Sequence, residues 1–164
     1  MRVFCFFLCL LLSPSLFAQA ETQPPTVRVV DIAQLEQAFR TGGDTLTVFN
    51  FWATWCRPCV AELPAFQQLY QESAGKPLRV VLVSLDFKSE LEKTLIPFLQ
   101  KKGIALPVWL LDGKPALYID RVSRSWSGSI PASLFVRPSR KIYRFEERDF
   151  TFDELNELVE GLLK

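Results

Sequence analysis

The feature that most constrains this chain is a Cys-x-x-Cys placed where a strand pattern gives way to a helix pattern. The dense apolar run from Leu46 to Trp52 predicts a strand buried on both faces, and a helical pattern follows it to about Ala74. Cys56 and Cys59 lie three residues apart, so on one helical turn they share a face. Their Cα atoms can then lie within the about 4.4–6.8 Å that a disulfide requires. The stretch therefore predicts a strand–helix unit with a closable cysteine pair at its junction.

The first twenty residues have the pattern of a secretory signal peptide. Arg2 gives a basic start, Val3 to Leu12 is apolar and uncharged, and Ala18-Gln19-Ala20 is a small-x-small cleavage site. The apolar run is shorter than the roughly 20 residues that a membrane-spanning helix needs, so cleavage is favoured over an uncleaved anchor. We therefore predict residues 1–20 as a signal peptide and residues 21–164 as one exported, periplasmic domain.

The composition of the mature chain narrows the chemistry of the pair. The whole chain has 19 basic and 18 acidic residues, and of these only Arg2 lies in the leader. The mature chain therefore has a net charge of zero, which gives no indication of nucleic-acid binding. Cys5 and Cys9 leave with the leader, so only Cys56 and Cys59 remain, and the chain has no histidine. A zinc site would need two more ligands, so no metal and no separate cofactor is predicted. A static disulfide across so short a loop removes little chain entropy, which favours a pair that opens and closes.

The hydrophobic pattern predicts the element order β-α-β-α-β-α-β-α-β-β-α. A second buried strand pattern, Arg79 to Leu85, follows the helix of the cysteines and predicts a parallel βαβ unit. Capping boxes are predicted at Asp31, Ser89 and Thr151, the second opening a helix to about Lys102. The remaining predicted elements are a short strand at Val27–Val30, a strand at Leu106–Leu111, a weak helix at Pro115–Asp120, and a hairpin of Ala132–Val136 with Lys141–Phe145.

Two motifs connect the chain to a known family. At Phe51-Trp52-Ala53-Thr54-Trp55-Cys56-Arg57-Pro58-Cys59, followed by Glu62-Leu63-Pro64, it resembles the thioredoxin superfamily, and most of all the exported thiol–disulfide oxidoreductases of the TlpA/ResA type. Ser129-Ile130-Pro131-Ala132, just before the hairpin, is similar to that family's cis-proline loop. The resemblance covers nearly all of the mature chain. It implies an α/β thioredoxin fold, a central mixed sheet flanked by helices, with an extra strand–helix insertion at about residues 88–120 before the cis-proline loop.

We expect the two cysteines to have different roles. Cys56 comes first, at the more exposed helix end, where the helix dipole favours a thiolate; it is the predicted nucleophile. Arg57 either adds to that stabilisation or is a solvated surface charge. Pro58 suits a first helical turn, and in the resembled family this dipeptide tunes the redox potential. Cys59, one turn deeper, is expected to resolve the mixed disulfide and become bonded to Cys56.

Other site residues follow mainly from the resemblance. In that family a glutamate at the position of Glu62 is thought to manage the proton of the buried cysteine, whereas the alternative is a first-turn carboxylate that complements the helix dipole. Many thioredoxins have a buried aspartate where this chain has Asn50, which leaves Glu62 as the candidate base. The resemblance also implies a cis Ile130–Pro131 bond beside the cysteines, with the Ile130 backbone free to pair with an extended substrate. Trp55 is expected to be an apolar platform for a protein substrate.

These observations predict a thiol–disulfide oxidoreductase that acts on protein cysteines as a periplasmic reductase. A membrane electron-donor protein would be its second partner. Its cellular role would be cytochrome c biogenesis or the rescue of misoxidised proteins. An oxidase or isomerase is the alternative within the class. From a different class, the chain could be a thioredoxin-fold binding or assembly module, such as a copper chaperone, although such carriers usually add a histidine. A peroxidase is disfavoured because the Pro-x₃-Thr-x₂-Cys pattern is absent.

Overall fold

A computed structural model describes residues 26–164 of the chain; the predicted signal peptide and its cleavage site lie outside these residues. Six strands form one mixed sheet in the order β1-β4-β3-β2-β5-β6. The first four in that order are parallel, and β5 and β6 run antiparallel to their neighbours. The elements are β1 Val27–Val30, α1 Ile32–Thr41, β2 Leu46–Trp52, α2 Arg57–Glu72, β3 Leu78–Ser84, α3 Ile96–Lys102, β4 Val108–Leu111, α4 Pro115–Val122, β5 Ala132–Arg137, β6 Ile142–Glu146 and α5 Phe152–Leu163.

Successive side chains of β2 point in opposite directions, so β2 contributes apolar side chains to both faces of the sheet. Helices pack against both faces and cover them. Val48 and Trp52 pack into a core with residues of α2, α3 and α5, whereas Phe49 and Phe51 pack into a second core with α1 and α4. Every residue of β2 is buried, as the apolar run predicts. Among residues 26–164 no helix has the length and apolar content to cross a bilayer.

The segment of residues 88–120 adds a strand to the interior of the sheet rather than to its edge. Its strand β4 lies between β1 and β3 and pairs in parallel with both. β4 begins at Val108 and not at Leu106 as predicted, because Pro107 has no N–H to donate; its carbonyl instead accepts the N–H of Leu82 at 3.0 Å.

The prediction of a capped helix at Ser89 is wrong. Residues Lys88–Glu90 form a 3₁₀ turn without a side-chain cap, and Leu91–Leu95 form a π-helical turn that leads into α3. The N–H of Ile96 bonds to the carbonyl of Leu91, five residues back. Pro97 follows directly and cannot donate, so the wider turn falls where regular helical hydrogen bonding is already interrupted.

The other two predicted capping boxes are present. The Asp31 carboxylate accepts the N–H of Gln34 at 2.8 Å, and Thr151 forms the reciprocal pair with Glu154 at the start of α5. The hairpin also forms, although β6 begins at Ile142, because a 3₁₀ turn at Pro138–Arg140 ends with Lys141 in the left-handed region at φ 56°.

A buried guanidinium joins the end of the chain to the sheet. Arg137 donates to both carboxylate oxygens and to the carbonyl of Asp44, just before β2. Its Nη1 donates to the carbonyls of Leu162 and Leu163, which the end of α5 leaves without helical partners. One side chain therefore holds the last turn of α5 against the start of the central strand.

Candidate active site

The two predicted reactive cysteines are joined at the start of α2. Cys56 and Cys59 form a disulfide with Cα atoms 5.3 Å apart. Cys56 occupies the N-cap position in extended backbone, and the N–H of Cys59 points to its sulfur at 3.3 Å. Cys56 is 6% exposed and Cys59 is fully buried, so Cys56 Sγ is the sulfur that an incoming group can reach. Pro58 lies in the first turn, where its missing N–H breaks no bond, and Arg57 is exposed.

A buried carboxylate holds the loop that leads into the cysteines. Both oxygens of Asp86 face the backbone N–H of Thr54, at 3.2 and 3.1 Å, and Oδ1 accepts the Thr54 hydroxyl at 2.6 Å. Asp86 Oδ2 also accepts the hydroxyl of Ser84 at 2.7 Å. Trp55, the next residue, is 67% exposed beside Cys56. The platform position predicted for Trp55 thus depends on a carboxylate at the carboxyl end of β3.

The predicted proline loop lies on the other side of Cys56. The Ile130–Pro131 peptide bond is cis, and the carbonyl oxygen of Ile130 lies 3.7 Å from Cys56 Sγ. The preceding residues form a short exposed loop, with Gly128 at φ 95°, where its backbone conformation favours glycine. The indole N–H of Trp126 donates to the carbonyl of Ser129 at 2.7 Å.

The carboxylate of Glu147, just after β6, contacts this loop. Its Oε2 accepts the N–H of Ser127 at 3.0 Å, and its Oε1 accepts the N–H of Ser129 at 3.0 Å and the hydroxyl of Ser127. Burial opposes ionisation of Glu147, but the hydrogen bonds from Ser127 and Ser129 outweigh it and hold the pKa of the carboxyl below its ordinary value.

An apolar groove of about 200 Å³ lies beside the disulfide, between Trp55 and Ile130, along the loops at the carboxyl ends of the parallel strands. Trp55, Phe87, Tyr118, Trp126 and Ile130 are among its lining residues. Phe87 is 77% exposed, and with Trp55 it is one of the large apolar side chains that the fold leaves open to solvent. Grouped, exposed apolar side chains are typical of surfaces that contact other molecules.

Glu62 is buried on the side of the disulfide that faces the sheet. It lies in the second turn of α2, 4% exposed, and not in the first turn, as the alternative interpretation of a dipole-complementing carboxylate required. Its Oε1 accepts from Nδ2 of Asn50 at 2.8 Å, and its Oε2 accepts the N–H of Phe150 at 3.0 Å. Residues three apart on a helix are neighbours, so Glu62 shares a face with Cys59.

Burial raises the pKa of Glu62 to about 7; the hydrogen bonds from Asn50 and Phe150 oppose the rise, and the nearby charge of Asp149 adds to it. Glu62 is among the residues that line an open cleft, together with Pro58 and Asp149. A carboxyl with a pKa of about 7 can hold or release a proton near neutral pH. Among residues 26–164, no three side chains of His, Cys, Asp or Glu are grouped to hold a metal ion.

The structure brings together Cys56, Cys59 and Glu62 on α2 with Trp55, Ile130 and Pro131 around the disulfide, while Arg57 and Pro58 lie on the exposed first turn. Sequence reasoning missed the carboxylates of Asp86 and Glu147. The position of Asp86 just after a buried parallel strand was a usable signal, because the carboxyl ends of such strands meet at one edge. No sequence signal pointed to Glu147, because its partners Ser129 and Ser127 lie 18 and 20 residues earlier in an irregular loop.

The sequence pattern of the AhpC/TSA family matches residues 25–145. Among curated relatives, the "Thiol-disulfide oxidoreductase ResA" of Oceanobacillus iheyensis is 32% identical over 66% of this chain. The chain spans only 52% of the length of that relative. The "Sporulation thiol-disulfide oxidoreductase A" of Bacillus subtilis is 26% identical, with 87% of this chain and 86% of that protein covered.

Solved structures of similar proteins extend the comparison to three dimensions. A "thiol:disulfide interchange protein, thioredoxin family protein" from Chlorobium tepidum superposes with a TM-score of 0.61 at 22% identity, covering 79% of this chain and 85% of that one. StoA from Bacillus subtilis superposes with a TM-score of 0.56 at 23% identity, covering 71% and 84%. At these identities the likeness bears on the fold alone.

Proposed function

The chain belongs to the AhpC/TSA family and has the thioredoxin fold, and from this we propose that it is an exported thiol–disulfide oxidoreductase that reduces disulfides of other proteins. The observation that carries the proposal is the Cys56–Cys59 bond at a helix N-terminus, with its outer sulfur 3.7 Å from the Ile130 carbonyl and an apolar groove beside it. Relatives named as thiol–disulfide oxidoreductases support it.

The reaction moves two electrons from the cysteine pair to the substrate. The Cys56 thiolate attacks one sulfur of a substrate disulfide; the other substrate sulfur leaves as a thiolate, and a mixed disulfide forms. The Cys59 thiolate then attacks Cys56 Sγ and releases the second substrate thiolate. The substrate gains both electrons, and the protein ends as the Cys56–Cys59 disulfide present in the structure. The unpaired N–H groups at the start of α2 stabilise the Cys56 thiolate.

Cys59 needs a proton acceptor, because a fully buried thiol is a poor nucleophile. Glu62 suits that role: it lies on the same face of α2, its pKa is about 7, and it lines an open cleft. In the forward reaction it receives the proton of the Cys59 thiol and later returns it to solvent.

The cellular setting follows from the leader-like sequence of residues 1–20, which would direct the domain to the periplasm. An exported compartment does not replenish thiols, so each turnover requires a membrane electron-donor protein whose dithiol reduces the Cys56–Cys59 bond. Cytochrome c biogenesis is the duty we propose first, since haem attachment requires reduced cysteines, and rescue of misoxidised proteins is the second.

The test compares residues 21–164 as wild type, Cys56→Ser and Cys59→Ser in insulin-disulfide reduction. Wild type should accelerate reduction, Cys56→Ser should be inactive, and Cys59→Ser should accumulate a covalent mixed disulfide with an insulin chain. Activity that survives the loss of Cys56 would exclude the proposed nucleophile. A reductase should equilibrate nearer the about −270 mV of thioredoxin than the about −120 mV of a strong oxidant, and a value at the oxidising end would indicate an oxidase.

A further inference from the structure

We propose that Glu147 is a positioning residue for substrate binding: its carboxylate sets the shape of the loop Ser127–Ile130 and so places the Ile130 backbone beside the attacked sulfur. This role rests on the proposed function above and adds to it a residue outside the cysteine motif. The loop needs such a template because its residues belong to no helix or strand and three of its four are exposed.

The contacts of Glu147 hold the loop at two separate peptide units. One carboxylate oxygen accepts the N–H of Ser127 at 3.0 Å, and the other accepts the N–H of Ser129 at 3.0 Å together with the Ser127 hydroxyl. Hydrogen bonds to an ionised carboxylate are about twice as strong as neutral ones. Both amides therefore face one fixed anion, and the turn between them, where Gly128 has φ 95°, keeps a single shape.

The opposite side of the same loop is fixed from the core. The buried indole of Trp126 donates to the carbonyl of Ser129 at 2.7 Å, so both the N–H and the carbonyl of Ser129 are engaged within the protein. The next residue is Ile130, whose carbonyl lies 3.7 Å from Cys56 Sγ. A substrate strand that pairs with this loop must therefore meet Ile130, and the position of Ile130 is set through Ser129.

The segment after β6 also contacts the proton-accepting group. Three residues after Glu147, the N–H of Phe150 donates to Glu62 at 3.0 Å. A variant at position 147 could then act on the Glu62 proton instead of on the substrate loop. The pH dependence of the reaction separates these two effects, because a change confined to the loop leaves the titration of Glu62 in place.

The experiment compares wild type, Glu147→Gln and Glu147→Ala with the matched control Glu146→Gln, whose carboxylate pairs with the surface residues Arg144 and Arg148. With insulin, both Glu147 variants should raise KM about five- to tenfold while kcat stays within about twofold, because lost loop contacts weaken binding and leave the sulfurs unchanged. With dithionitrobenzoate, a small disulfide that does not pair with the loop, all four proteins should react at similar rates. The inflection of the rate near pH 7 should persist.

Three outcomes decide against the proposal: an unchanged KM for insulin, an equal loss on both substrates, or the same KM change in Glu146→Gln. Amide hydrogen exchange at Ser127 and Ser129 gives a readout that does not need activity, and it should be faster in Glu147→Gln than in Glu146→Gln. If the wild-type protein reduces neither insulin nor dithionitrobenzoate, the proposed function is wrong. The amide exchange rates at Ser127 and Ser129 would still decide whether Glu147 holds the loop.

Discussion

Nδ2 of Asn50 lies 2.8 Å from Oε1 of Glu62, so a side chain that cannot ionise holds the buried carboxyl of Glu62 in place. Asn50 points to the α2 face of β2, where the period-two alternation otherwise places Val48 and Trp52. Its Nδ2 also lies 3.2 Å from the hydroxyl of Ser133, its cross-strand neighbour on β5. Because this partner is an amide, the hydrogen bond stabilises the ionised carboxylate of Glu62 without adding a second titrating group on β2.

Glu62→Gln should remove a pH-dependent step from the reaction. In wild type, the rate at which Cys59 resolves a mixed disulfide should rise with an inflection near pH 7, where Glu62 becomes an ionised proton acceptor. In Glu62→Gln the inflection should vanish, and the rate at pH 8 should fall about 10²-fold, the low end of general-base contributions. Stopped-flow measurement of the resolving step from pH 5 to 9 checks this. An unchanged profile in the variant would assign the base to another group.

Glu62 should also make the stability of the fold depend on pH. Its pKa is about 7 in the folded protein against an ordinary 4.5, so below pH 4.5 the carboxyl is neutral in both states. As pH rises from 4.5 to 7, the unfolded chain releases the proton and the folded protein keeps it, so the free energy of unfolding falls. The loss should be on the order of 3 kcal/mol and level off above pH 7.

Urea unfolding of the oxidised protein at pH 4, 6 and 8 measures this effect, with Glu62→Gln as the reference. The amide that this substitution introduces meets two donors, from Asn50 and Phe150, and therefore carries a constant cost. The difference between wild type and variant should shift with pH in the stated direction. A flat difference would show that the folded-state pKa of Glu62 is ordinary.

Trp55→Ala and Phe87→Ala should distinguish protein substrates from small ones. Both side chains line the groove beside the disulfide and are largely exposed, so their loss removes apolar contact area without opening the core. With insulin, kcat/KM should fall about three- to tenfold for each variant, whereas the rate with dithionitrobenzoate should change by less than about twofold. Leu117→Ala, which truncates an exposed apolar side chain on α4 that does not line the groove, is the control. Equal losses on both substrates would contradict a docking role.

Arg137→Ala should destabilise the fold by about 1–3 kcal/mol, because it leaves the carbonyls of Leu162 and Leu163 without their buried donor. Arg140→Ala is the matched control: this exposed guanidinium lies 3.8 Å from the same Asp44, and its removal should cost less than about 1 kcal/mol. Denaturant unfolding of both variants gives the comparison. A loss below about 1 kcal/mol for Arg137→Ala would show that α5 does not depend on this contact.

Much of the fold could be predicted from local pattern. The order of strands and helices follows from apolar periodicity, and the caps at Asp31 and Thr151 follow from short-range side-chain chemistry. The same kind of pattern failed at Ser89, where the motif is present but the backbone forms a 3₁₀ turn and then a π turn before Pro97. The predicted side-chain cap does not form there, and the wider turn lies next to Pro97, which donates no backbone hydrogen bond.

The site could be predicted only where its functional residues lie close together in the sequence. The spacing of Cys56 and Cys59 predicts a reactive pair, and the role of Pro131 was predicted from the resemblance to a family. The donors that surround Glu62 could not be foreseen, because they come from Asn50 on a strand and from the backbone of Phe150 after the hairpin, 88 residues away. Such contacts are set by tertiary packing, which local sequence does not encode.

The place of β4 inside the sheet determines when β1 can pair. β1, the first strand described, pairs with β4 across a separation from Val27 to Val108. During synthesis or passage through a pore, a chain that emerges N-terminus first must hold β1 without its partner until Leu111 has appeared. β1 therefore stays unpaired while α1, β2, α2, β3 and α3 emerge, and during that time its backbone can pair with a strand of a chaperone or of a neighbouring chain.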